Sequence, residues 1–107
     1  MKNFSDMMRQ AQEMQGKMAE AQERLEDVMV KGTAGADMVQ ITMTAKGALQ
    51  SVTIDSSLFN GEDKEVVEDL IVAAHGDAKI KAEAAAAEEM AKVTSGMNLP
   101  AGMKLPL

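Results

Sequence analysis

Phe4, Met7, Ala11, Met14, Met18, Ala21 and Leu25 recur at spacings of 3, 4, 3, 4, 3 and 4. That is the stripe of an amphipathic helix with one packed face. Gln, Glu, Lys, Arg and Ala fill the intervening positions, all good helix formers, and Gly16 is the one weak point. Ser5 or Asn3 is placed to cap the start. At about three heptads the stripe is short for a free coiled coil, so it is expected to pack on a sheet or on a second copy of the chain.

From Val28 the texture changes. Val28 to Thr33 reads either as one more helical turn or as a strand, and the β-branched residues around Met29 favour the strand. Ala34-Gly35-Ala36-Asp37 forms a turn. Val39, Ile41, Met43 and Ala45 then alternate with Gln40, Thr42 and Thr44, the period of a half-buried strand. Lys46-Gly47-Ala48 makes a tight connection to a third strand, Leu49 to Ile54, with Val52 and Ile54 pointing inward. These segments predict a three-stranded antiparallel meander with one apolar face.

After a loop over residues 55–61, Glu62 or Asp63 opens a long second helix, acidic in its first turn, where the helix dipole favours negative charge. Val67, Leu70, Ile71, Ala74 and Ala78 mark its buried face. Gly76, unfavourable inside a helix, marks a bend or a close backbone approach. The Ala- and Glu-rich stretch from Ala82 to Ala91 is poor in large apolar groups and is expected to project from the body. Residues 96–107 are apolar but punctuated by Pro and Gly, hence extended. The predicted fold is α+β: an α-β-β-β-α domain over residues 1–95, with helices on one sheet face and a long projecting C-terminal helix, followed by an extended tail over 96–107.

Composition sharpens this picture. The chain has 107 residues, two aromatics (Phe4 and Phe59), eleven methionines and no cysteine. A lone chain of this length buries only roughly 60–70% of the surface exposed when unfolded. A core of Ala, Val, Leu, Ile and Met alone makes a partner subunit plausible. The lack of cysteine excludes disulfides, a thiolate nucleophile and Cys-ligated metal centres. No secretory signal opens the sequence and no apolar run approaches the ~20 residues of a membrane span, so a cytoplasmic protein is expected.

Catalytic chemistry has little to stand on. His75 is the only histidine, without a Ser or Cys partner for a nucleophile pair or a second His for a metal site. No glycine opens a phosphate-binding P-loop. Glu62-Asp63, Glu68-Asp69 and Glu88-Glu89 read as solvated helix faces. The sequence predicts no enzyme, no cofactor, no metal and no small-molecule substrate.

The net charge is −6, with nine of the seventeen acids after residue 61. Such a balance opposes non-specific nucleic-acid binding, which rests on clustered Lys and Arg. Lys2, Arg9, Lys17 and Arg24 nevertheless recur at spacings of 7, 8 and 7 along the first helix, a stripe that suits a phosphate backbone. The same cations also form Glu13–Lys17 and Glu20–Arg24 pairs of helix-stabilising order, and on charge alone this second reading weighs more. Lys79, Lys81 and Lys92 add cations to the second helix, again among acids. With no aromatic platform for single-stranded bases, any nucleic acid bound is expected to be a duplex. Met7, Met14 and Met18 read as core packing or, alternatively, as a dimer seam or adaptable binding face.

Several segments in order carry a resemblance. They are Met14-Gln15-Gly16-Lys17-Met18, Val52-Thr53-Ile54-Asp55, the run from Glu62 to Ala74, and Ser95-Gly96-Met97-Asn98-Leu99-Pro100-Ala101-Gly102-Met103. Across nearly its whole length the chain resembles the YbaB/EbfC family of small bacterial nucleoid-associated DNA-binding proteins. The resemblance implies a homodimer joined through the sheet region, with helices projecting like tweezer arms. It also implies binding to duplex DNA, nucleoid organisation and gene regulation without catalysis. On that reading the expected DNA contacts are the cations already noted on the two helices, Lys2, Arg9, Lys17, Arg24, Lys79, Lys81 and Lys92. The competing expectation is a cytoplasmic protein-interaction module that docks through its Met-rich first helix or its apolar tail.

Overall fold

A computed structural model describes residues 2–95, so the predicted extended tail lies outside the described residues. Helix α1 (Lys2–Leu25) leads into strands β1 (Met29–Ala34), β2 (Val39–Thr44) and β3 (Leu49–Ile54). A single 3-10 turn at Ser56–Leu58 then precedes helix α2 (Lys64–Ser95). The strands form one antiparallel sheet in the order β1-β2-β3. This is the α-β-β-β-α architecture that the hydrophobic periods predict.

The central strand supplies the core. Val39, Ile41 and Met43 are the largest fully buried side chains, and each full burial is worth roughly 1.5–3 kcal/mol. They lie beneath α2, whose Ala74, Ala78 and Ala82 face them. Small residues on both sides set the spacing. Gly32 in β1 sits so close to Ala74 O and Ala78 N that a methyl group there has no room. The backbone of α2 thus rests directly on β1.

Helix α2 also closes one edge of the sheet. Asp77 Oδ2 accepts a hydrogen bond from the Thr33 N–H at 3.0 Å, and Lys81 Nζ donates to the Lys31 carbonyl at 3.0 Å. The two side chains pair with each other at 3.0 Å. An open strand edge invites pairing with another chain, and on β1 these side chains occupy the positions such a chain needs. Among the described residues no such cover lies over β3. Helix α2 lies over β1 and β2, and Leu49 and Val52 of β3 remain 53% and 41% exposed.

Several local expectations need correction. Asn3 and Ser5 lie within α1 rather than capping it, because the helix already runs from Lys2. Val52 pairs with Ile41 and so shares its sheet face, but α2 does not reach it and it is exposed, while Ile54 is half-buried. Helix α2 opens at Lys64 rather than at Glu62 or Asp63. Asn60 Oδ1 accepts from both of those backbone N–H groups at 2.8 and 3.1 Å, holding them in the turn before the helix. Gly76 has open space around it and the helix runs through it, so no close approach occurs within the protomer.

The first helix differs most from expectation. Its stripe packs mainly on α2 rather than on the sheet; Ala21 and Leu25 are buried at its C-terminal end and Met14 is half-buried. Phe4 and Met7 are about two-thirds exposed, at 70% and 66%, and Met18 is 37% exposed. Core packing within the protomer therefore does not account for Met7 and Met18. The stretch from Ala82 to Ala91 is less bare than its composition suggests: Ala82 is buried in the core cluster over the sheet, and Glu89, which meets Arg24 of α1, and Met90 are half-buried. The surface of α2 turned away from the sheet carries its own apolar row, with Val66, Val72 and Ile80 all exposed.

Candidate nucleic-acid interface

Helix α1 enters the sheet at its C-terminal end, and α2 leaves the sheet beyond Ala82, so the two run antiparallel. Their seam gathers cations that lie far apart in sequence. Lys17, Glu20 and Arg24 of α1 and Lys92 and Val93 of α2 line one open cavity of about 250 Å³. The heptad spacing puts Lys17 and Arg24 on the same side of α1. The antiparallel packing then brings Lys92 to them.

Glu89 organises the cluster. Arg24 Nε donates to its Oε2 at 3.2 Å and Lys92 Nζ donates to its Oε1 at 3.1 Å. The Glu89 side chain is only 14% exposed, whereas those of Arg24 and Lys92 are 49% and 69% exposed. The cationic heads thus face solvent over an acidic anchor. With Glu20 and Glu89 against Lys17, Arg24 and Lys92, the cluster keeps a small positive excess on an acidic protein. A phosphate oxygen accepts the same hydrogen bonds as the Glu89 carboxylate, so the seam has the chemistry of a backbone-phosphate contact.

Glu88-Glu89 had read as a solvated helix face, and Glu89 is the member that departs from it. Its only sequence signal is the three-residue spacing to Lys92, which places both on one helix face. The Glu13–Lys17 and Glu20–Arg24 pairs do not close; Arg24 turns to Glu89 instead. Lys81 is committed to the β1 edge and to Asp77. Lys79 is exposed, about 20 Å along α2 from Lys92 by helix geometry. Arg9 is exposed on the part of α1 beyond the seam, and the side chain of Lys2 lies outside the described residues. The structure thus brings together three of the seven predicted residues.

Little else competes as a site. A larger cavity of about 510 Å³ lies beside Leu58, Phe59, Gly61, Lys64, Val67 and Glu68 at the start of α2. It holds one Lys and one Glu against an apolar wall. His75 is exposed. Among the described residues, no His, Asp or Glu side chains converge as a metal site, and no helix is long and apolar enough to cross a membrane.

Hydrogen bonding makes three carboxylates more acidic than usual. Glu89 is lowered by Lys92 and then Arg24, Asp77 by the Thr33 N–H and then Lys81, and Asp55 by Ser57. Each binds its proton more weakly in the folded chain than in the unfolded one. Their stabilisation is therefore complete above the ordinary carboxylate range and is lost as pH falls through it toward the lowered folded values. The urea midpoint should drop between about pH 6 and about pH 3. Glu89→Gln should show a shallower drop than the parent in parallel urea titrations, because its position no longer titrates.

Comparison with known proteins agrees with this architecture. A sequence model of the YbaB/EbfC DNA-binding family matches residues 1–97. A nucleoid-associated protein of Granulibacter bethesdensis is 57% identical over 106 residues, 99% of each chain. One from Paramagnetospirillum magneticum is likewise 57% identical over 99% of each chain. The crystal structure of an uncharacterized protein from Helicobacter pylori superposes with a TM-score of 0.66 at 24% identity, covering 88% of this chain and 95% of that one. At that identity the superposition speaks for the fold alone.

Proposed function

Since the chain belongs to the YbaB/EbfC DNA-binding family, we propose that it acts as a homodimer that grips duplex DNA through the α1–α2 seam. In this reading it organises the nucleoid and regulates genes without catalysis. The observation that carries the reading is the convergence of Lys17, Arg24 and Lys92 around one carboxylate. A single such cluster has too little charge to hold DNA. Two clusters on one rigid dimer add through effective concentration, while the acidic remainder of the surface limits adhesion elsewhere.

The dimer itself is suggested by what the protomer leaves uncovered. The β1 edge is capped, so the sheet has one open side, β3, with Leu49 and Val52 exposed on it. On its outer surface α2 turns Val72, Gly76 and Ile80, spaced by four, away from its own core, with all three exposed. A second copy of the chain is the cover this reading assigns to such surfaces, and Gly76 on that row has the open space that a close helix approach needs. Ile80→Asp should therefore yield monomers in analytical ultracentrifugation with helical content retained, because Ile80 makes no core contact in its own chain.

The direct test of DNA binding is a mobility-shift titration against salt. Three cations from each of two protomers can neutralise about six phosphates, giving a log–log slope of roughly −5. No shift at low salt from a verified dimer overturns the proposal.

A further inference from the structure

Above the seam α1 continues as an arm. Lys92 and Val93 lie beside Lys17 and Glu20, and α2 ends soon after, at Ser95. The part of α1 from Lys2 to Glu13 spans about 18 Å, and every residue from Asn3 to Glu13 is exposed. A single helix with its side chains is about 10–12 Å across. That matches the major groove of B-DNA, about 12 Å wide, and is too broad for the minor groove, at about 6 Å.

The side of the arm that continues the cation line changes in chemistry. Seven residues turn a helix through about 700°, only about 20° short of two full turns, so Gln10 stands on the line through Lys17 and Arg24. It lies about 10.5 Å along the helix from Lys17, or about three base steps of ~3.4 Å. Asp6 and Glu13 fall within about 40° of that line. Their carboxylates repel phosphate, so this side of the arm does not follow the DNA backbone as Lys17 and Arg24 do. A base edge in the major groove is different, because adenine and cytosine present amino donors there. The Gln10 carboxamide both donates and accepts, and among the described residues it has no hydrogen-bonding partner.

We infer that Gln10 is a specificity-determining residue: with Lys17 and Arg24 anchored on phosphates, the arm of α1 enters the major groove and the Gln10 carboxamide pairs with N6 and N7 of one adenine. The inference rests on the seam of a dimer as the DNA contact, and adds to it the sequence readout that phosphate contacts do not supply. The seam sets affinity and its salt dependence. Gln10 sets which base pair is preferred, about three base pairs from the phosphate held by Lys17. Two-fold symmetry repeats the same preference in both halves of the site.

Selection from a randomised duplex library, followed by mobility-shift titration of the selected and scrambled duplexes, tests this. The full chain should enrich one adenine–thymine pair per half-site and bind it about tenfold more tightly than duplexes with another pair there. Gln10→Ala should lose that preference while keeping the parent's salt slope and its affinity for scrambled DNA, since alanine preserves the helix and removes no charge. Gln10→Glu should move the preference toward cytosine, whose N4 donates to a carboxylate; a residue that only supports the helix would not do this. Parent binding with the expected salt slope but no sequence preference overturns the inference and leaves the seam standing. An adenine preference that survives either substitution overturns it as well. So does an equal loss by Gln10→Ala on every duplex, which makes Gln10 a backbone contact. No binding by the parent at low salt sinks the seam reading, and this inference with it.

Discussion

Replacing Gly32 with alanine should cost the protein more stability than any other single methyl group added to a glycine of the domain. The new Cβ would lie 2.6 Å from Ala78 Cβ and closer still to Ala74 O and Ala78 N. Two of these three obstacles belong to the α2 backbone, which cannot rotate aside as a side chain can. Relief requires lifting α2 from β1. That motion would loosen the seat of Val39, Ile41 and Met43 and strain the Thr33–Asp77 and Lys31–Lys81 hydrogen bonds that close the β1 edge. Overpacking of this kind costs about 3 kcal/mol, or a fall in Tm of roughly 12–24 °C for a domain of this size. Gly16→Ala is the control: nothing lies within 4 Å of its Cβ, and the helix gains up to about 1 kcal/mol. Thermal melts of the two variants should move in opposite directions.

Gly32 also shows where the sequence was legible and where it was not. The alternation of Val39, Ile41, Met43 and Ala45 was enough to place β2 and its buried face, because a period of two leaves only one solution. The glycine that lets α2 settle on the neighbouring strand carries no such signature; within the Val28–Thr33 segment nothing in the sequence marks it as a contact with a helix. The first helix teaches a related lesson. Its 3–4 spacing correctly identifies one packed face, but periodicity says which side wants cover and not what covers it. Only the tertiary arrangement shows that α2 covers the lower end of that face and leaves Phe4 and Met7 bare.

The candidate site divides in the same way. Lys17 and Arg24 could be placed on one side of α1 by arithmetic. Lys92 joins them only because α1 and α2 run antiparallel, a contact across more than sixty residues of sequence. Lys81 looked equivalent to Lys92 in sequence, yet it reaches a backbone carbonyl and a carboxylate at a strand edge that no local pattern reveals. Glu89 was hidden among acids whose charge suggested only solvation.

Changing Lys17, Arg24 and Lys92 together to alanine should abolish detectable DNA binding while leaving the dimer folded. All three project from the helix seam toward solvent, and none contributes to the cluster under α2. The loss follows from electrostatics. If the seam holds the phosphates, the variant removes about six neutralising charges from the dimer, so the log–log salt slope should fall from about 5 in magnitude to below about 1. Binding at about 50 mM salt should weaken by at least roughly 100-fold. Lys79→Ala, on an exposed part of α2 outside the seam, should leave both quantities nearly unchanged. Glu89→Gln separates this mechanism from a simple loss of positive charge. It keeps the shape of the anchor but withdraws the carboxylate that competes with phosphate for Arg24 and Lys92. That variant should bind DNA several-fold more tightly than the parent in the same mobility-shift titration. Unchanged binding in the triple variant would move the DNA contact away from the seam, and weaker binding by Glu89→Gln would show that the carboxylate positions the two cations for DNA instead of competing with it.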